Sequence, residues 1–240
     1  MILEALVNPF KGLESETPDQ IEKLKVEKDE LVERVLSQYN PKLKWEDSPD
    51  EPNAYTLLQE MNFETLTPVQ IDIVLQKIIA LSENQLFLQQ SFYSGLFLSK
   101  LIQKSHDAGN KQFVLHTNES QICNLCMELK DSDVLVYGNV GNSFGRDSEN
   151  CNFKVSGDAG LSFGAGAKKC NYWLDGQADG IAIGSKECTF VLRKKTQDKL
   201  CSLGSDDCTF YCTDIDVYLD MLTRVRGINN KVEFQNETND

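Results

Sequence analysis

Glycines recur at a fixed pace in the second half of the chain, and that pace restricts the fold more than any other feature. GNVGNSFG (Gly138 to Gly145) and GDAGLSFG (Gly157 to Gly164) both read G-x-x-G-x-x-x-G and lie 19 residues apart. The same offset joins Gly138, Gly157 and Gly176, and it joins Gly141 to Gly160. Gly145 and Gly164 continue at steps of 20 to Gly184 and Gly204. Nineteen residues before Gly145 stands Cys126, which marks an irregular earlier turn. A side-chain-free position returning about every twenty residues implies a corner that every turn of the chain must make, or a close approach between turns.

The segments between the glycines agree with each other. Cys151-Asn-Phe-Lys-Val, Cys170-Asn-Tyr-Trp-Leu, Cys188-Thr-Phe-Val-Leu and Cys208-Thr-Phe-Tyr-Cys place a small residue, an aromatic and an aliphatic at alternate positions. Ser132-Asp-Val-Leu-Val is an earlier copy. Period 2 is a strand with one face inward. One such coil cannot bury itself, so neighbours must stack, and the expected form is a solenoid of parallel β-coils. With rungs about 4.8 Å apart, five or six coils make a rod on the order of 25 Å long.

The repeat also assigns the cysteines. Cys151, Cys170, Cys188 and Cys208 share one coil position and should form an internal ladder. Cys212 falls at the Val155 position, and Cys201 is expected at the position of Ile181 and Leu161. Cys123 and Cys126 form a C-x-x-C pair, a weak metal candidate. It lacks a second pair or two histidines at zinc-site spacing, so packing in the first coil is the expectation.

Before residue 110 the pattern is helical. Thr17-Pro18-Asp19 reads as a helix start for a helix from about 18 to 38, followed by an extended linker over 41–53. Thr67-Pro68 repeats the signal and opens an apolar helix, and a second runs through Leu86 to Ile102, ending near Gly109. The expected division is an acidic helix and linker (1–53), a helical hairpin (54–110), a β-helix (111–213), and a C-terminal cap and tail (214–240). The hairpin needs a partner surface, either the rest of this chain or another molecule. A short helix from about 214 to 226 is expected to cover the open end of the solenoid, and Lys231-Val-Glu-Phe-Gln to add an edge strand.

Charge narrows the function. Asp and Glu number 37 against 24 Lys and Arg, a net charge of −13, which repels nucleic acid. No window is apolar enough to span a membrane, and no secretory signal opens the chain, so a cytoplasmic setting with reduced thiols is expected. Arg193, Lys194, Lys195 and Lys199 form a basic cluster, read as a solvated corner or a docking patch for an acidic partner. The two histidines, His106 and His116, have no nucleophile-elbow sequence to serve, and the glycine clusters lack the lysine of a phosphate loop. No catalytic residue, metal or cofactor is assigned.

The G-x-x-G-x-x-x-G units resemble the glycine-patterned β-helix domain at the C-terminus of the glutamate synthase large subunit, a domain that also forms most of one subunit of formylmethanofuran dehydrogenase. The resemblance covers about residues 130 to 213 and implies a right-handed β-helix that serves as structural support or as a contact between subunits. The expected fold is therefore α+β: a helical N-terminal region, a right-handed parallel β-helix, and a C-terminal helical cap. The expected role is that of a non-enzymatic structural or interaction protein with a protein partner or a second copy of itself. The alternative is an accessory subunit of a redox or amidotransferase complex.

Overall fold

The structure is a computed structural model that describes residues 10, 29–40, 54–82, 88–194 and 201–235. Four helices come first: α1 (Glu30–Gln38), α2 (Ala54–Glu60), α3 (Pro68–Ser82) and α4 (Leu88–Asp107). Seven strands follow, β1 (Gln112–Asn118), β2 (Asp133–Gly138), β3 (Asn152–Val155), β4 (Asn171–Leu174), β5 (Thr189–Leu192), β6 (Thr209–Cys212) and β7 (Lys231–Phe234). Helix α5 (Ile215–Arg224) lies between the last two. The strands form one sheet in sequence order, and every neighbouring pair is parallel. Consecutive parallel neighbours require the chain to circle once between strands, which is a β-solenoid of about six turns. The α+β reading holds.

Register explains the inward pattern. Val134, Phe153, Tyr172, Phe190, Phe210 and Val232 are aligned across the sheet. Their rings stack at 5.0 Å from Phe153 to Tyr172, 4.9 Å from Tyr172 to Phe190 and 5.3 Å from Phe190 to Phe210, close to the rung spacing. The phenol of Tyr172 donates to the Gly145 carbonyl at 2.8 Å, so its buried hydroxyl is satisfied. A Cβ on Gly145 would sit 2.9 Å from that phenol oxygen. On the next inward position Val136, Val155, Leu174, Leu192 and Cys212 align as expected.

The corners carry left-handed backbone in vertical files. Cys126, Gly145, Gly164, Ala182 and Ser202 have φ of 62°, 64°, 67°, 58° and 52°, and the expected Gly184 and Gly204 stand instead in a neighbouring file with Gly166, at 67°, 70° and 68°. Cys126 is thus a true member of the glycine file. Another file runs through Asp131, Asn150, Lys169, Glu187, Asp207 and Asn229, with φ between 51° and 55°. Asn and Asp tolerate this region, and the lysine and glutamate hold it at a cost. Gly160 serves close approach: a Cβ there would lie 2.4 Å from Asn142 Oδ1, which accepts the Leu161 N–H at 2.9 Å.

One expected register is displaced. Ile181 pairs with Phe163, and Cys201 with Ile181, so Cys201 shares its position with Phe163 and not with Leu161. The inward side chain remains the residue before the left-handed corner (Phe144, Phe163, Ile181, Cys201), and that corner passes from Gly164 to Ala182 and Ser202. Ile183 is then only partly buried and Leu203 is exposed. Only Asp179 and Gly180 stand between Ala178 and Ile181, where Gly160, Leu161 and Ser162 stand between Ala159 and Phe163, and this one residue fewer accounts for the slip.

The helices cover the first coil. α3 packs on β1 and α4 on α3, and a single cluster of buried side chains runs from Val32 to Met221. α4 approaches so closely that a Cβ on Gly95 would stand 1.9 Å from the Cys123 carbonyl oxygen. α1 begins at Glu30 because Asp29 is its cap, accepting the Leu31 and Val32 N–H groups. The expected Thr17 start and the 41–53 linker lie outside the described residues. α2 adds a short helix ahead of the hairpin, too short to stand alone and held by buried Leu58 against α4. At the far end, α5 turns Val217 and Met221 inward, and Met221 Sδ lies 3.7 Å from Cys201 Sγ.

Candidate functional site

Chemistry-bearing side chains meet in four places: the thiol ladder, the helix–solenoid seam, the outer sheet face, and the C-terminal end. In the ladder, Cys151, Cys170, Cys188 and Cys208 each donate S–H to the carbonyl two residues earlier, at 3.3, 3.2, 3.2 and 3.4 Å. The Cys151 N–H donates to Cys170 Sγ at 3.3 Å, and the Cys170 N–H to Cys188 Sγ at 3.4 Å. Ser132 makes the same bond to Lys130 at the top, and Asn230 Oδ1 takes the Cys208 N–H at 2.9 Å at the bottom. The site therefore needs a small group that both donates and accepts, and cysteine meets this at little polar cost.

This setting suppresses thiolate chemistry. The hydrogen bond with Cys151 holds Cys170 protonated and pushes its pKa up to about 12, and the bond with Cys170 does the same to Cys188, also to about 12. Burial pushes Cys201 and Cys212 up to about 12, and raises Cys126 well above the ordinary thiol value. All eight cysteines are free and buried. Among the described residues no third His, Cys, Asp or Glu joins Cys123 and Cys126 in a group able to hold a metal ion.

At the seam, His116 of β1 meets Asp72 of α3. Asp72 Oδ1 accepts the His116 N–H at 2.8 Å, and Oδ2 lies 2.9 Å from Nδ1. Gln76 Nε2 donates to the His116 carbonyl, and the imidazole stacks on Tyr137 at 5.2 Å. An acid orienting an imidazole through Nδ1 is also found in hydrolytic triads. Here the bonds run between one helix and the strand under it, so the pair staples the helical layer to the first coil. Asp72 is the lone charge in the apolar stretch Val69 to Leu75, and that charge was the available signal. His106 lies 3.4 Å from the Asp107 carboxylate through Nδ1, at the end of α4.

The basic cluster divides. Arg193 pairs with Asp175 at 3.0 Å, and Lys194 is exposed. Lys195 and Lys199 lie outside the described residues. The outer sheet face carries Leu135, Lys154, Trp173, Val191 and Tyr211 in register, and Phe10 packs edge-on to Trp173 at 5.7 Å. At the C-terminal end Ile215, Leu219 and Leu222 of α5 are 51%, 54% and 50% exposed, beside Ile228 at 64%. They stand one turn apart on the face opposite Val217 and Met221. Among the described residues no helix is long and apolar enough to cross a membrane.

These features define a helix-capped parallel β-solenoid with an aromatic core and a sealed thiol ladder. No protein family, curated protein or solved structure matches the chain. The likeness to the glutamate synthase and formylmethanofuran dehydrogenase domains thus rests on glycine spacing and the solenoid form.

Proposed function

We propose that this protein is a non-enzymatic structural and protein-interaction element, a rigid rod that takes a second copy of itself at its C-terminal end. The observation that carries the reading is where exposed apolar side chains gather. Leu203, Ile215, Leu219, Leu222, Ile228 and Phe234 all belong to the last two coils and their cap. Such a patch on a folded chain marks a contact surface. The groups that commonly do chemistry support the same reading, since the thiols are sealed and the imidazole of His116 is engaged in packing.

The edge strand argues for self-association. β7 ends the sheet, and it alternates Lys231, Val232, Glu233 and Phe234. About a two-fold axis through Val232, an antiparallel partner strand sets Lys231 opposite Glu233 of the other copy, twice over. α5 packs on β7, so its exposed leucines belong to the same end of the rod. Because each chain carries −13, association strengthens as salt screens the repulsion.

Light scattering coupled to size exclusion tests this. The expected mass is twice the 27.1 kDa of one chain, increasingly so with salt, and L219E/L222E returns it to a single chain. A wild-type chain that stays single at high micromolar concentration and high salt overturns the self-association.

A further inference from the structure

We propose that the outer sheet face around Trp173 is a docking site for a short segment bearing an aromatic anchor, and that Phe10 of the same chain occupies it. Alternate residues of a solenoid strand point away from the core, where polar side chains are the rule. At this position the rungs read Leu135, Lys154, Trp173, Val191 and Tyr211. Val191, the neighbour of Trp173 in register, is buried, as is Leu135 one rung beyond Lys154. An outward apolar row on a sheet persists only beneath a cover.

Phe10 supplies cover over Trp173. It is 1% exposed although it stands far from the solenoid in sequence, and its ring meets the Trp173 indole at 88° with centroids 5.7 Å apart. Edge-to-face contact of this kind aligns the positive ring edge with the negative face of the other ring. The Phe10 side chain belongs to neither the helical core nor the coil interior. It is an anchor set onto the outside of the rod. Held on the same chain, it acts at an effective concentration on the order of 1 mM, so if the free Phe10 segment binds the open face with a dissociation constant near 100 µM, a copy of it added as a peptide binds the parent about tenfold more weakly. The inference stands apart from the C-terminal end face, and each can fail without the other.

A W45F background leaves Trp173 as the one tryptophan, and its fluorescence quenching by acrylamide reads the site. F10A, and separately deletion of residues 1–12, should at least double the quenching. A synthetic peptide of residues 5–15 should restore protection to both variants, its F10A counterpart should not, and the parent should bind the peptide about tenfold more weakly than the variants. Equal quenching with and without Phe10, or peptide that binds parent and variants alike or binds neither, overturns the proposal. A benzoylphenylalanine placed at position 10 of the full chain gives a second readout that keeps the aromatic anchor. Photo-crosslinking should reach the segment 171–193, and crosslinks confined elsewhere overturn the assignment.

Discussion

Replacing Gly95 with alanine sets two physical effects against each other. In an exposed helix, glycine to alanine stabilises by up to about 1 kcal/mol, because alanine is the better helix former. In α4 the new methyl would stand 1.9 Å from the Cys123 carbonyl oxygen, 2.6 Å from the Leu125 nitrogen and 2.7 Å from the Asn124 carbonyl carbon. All three are backbone atoms of the first coil and cannot rotate aside. Relief requires α4 to withdraw by more than an ångström. That loosens Ser99 Oγ, which takes the Met127 N–H at 3.1 Å and lies 3.2 Å from the Asn124 carbonyl. It also lifts the buried Phe97, Leu98, Leu101 and Ile102. Overpacking of this kind costs about 1–3 kcal/mol, and each loosened hydrogen bond about 1 kcal/mol. Set against the propensity gain, the net loss is about 2–4 kcal/mol. With an m-value near 3 kcal/mol/M for a chain of this size, the urea midpoint falls by about 1 M. A midpoint that rises, as helix propensity alone predicts, would refute the close docking of the helical layer on the solenoid.

Other outcomes follow from the corners and the thiols. K169N should raise stability by about 1 kcal/mol, since Lys169 is exposed with φ 53° in a file where four of the six residues are Asn or Asp; a drop in the thermal midpoint would contradict it. A second expectation concerns alkaline pH. Cys170, Cys188, Cys201 and Cys212 titrate near 12 when folded and near the ordinary thiol value when unfolded. The unfolded chain releases its protons first, so the stability these thiols contribute is whole below pH 9 and is lost as pH rises toward 12. Each raised thiol steepens the loss by up to about 1.4 kcal/mol per pH unit. Urea titrations at pH 8, 9 and 10 measure the slope, and C201S should flatten it.

The solenoid was legible because its signals repeat. One glycine or one cysteine means little, but Cys151, Cys170, Cys188 and Cys208 at matched spacing define an inward rung, and the register agrees. The left-handed corner at Cys126 was readable for the same reason, since it continues the glycine file. What escaped were single contacts between distant segments. Gly95 looks like a weak point in a helix until Cys123 is placed beside it, and Phe10 has no partner in sequence until Trp173 faces outward. The Asp72–His116 clamp gave a partial signal, a charge in an apolar helix, without naming its mate. The coil at Asp179-Gly180 shows how one residue fewer keeps the inward side chain in register while handing its corner from a glycine to Ala182.

Native thiol labelling tests the central claim, a rod whose cysteines line its interior, most directly. Treated with iodoacetamide at pH 8 and digested for mass spectrometry, the folded chain should leave Cys151, Cys170, Cys188 and Cys208 unmodified, and labelling in urea should reach all eight cysteines. Rapid modification of those four in the absence of denaturant would contradict a buried ladder and the stacked coils that create it.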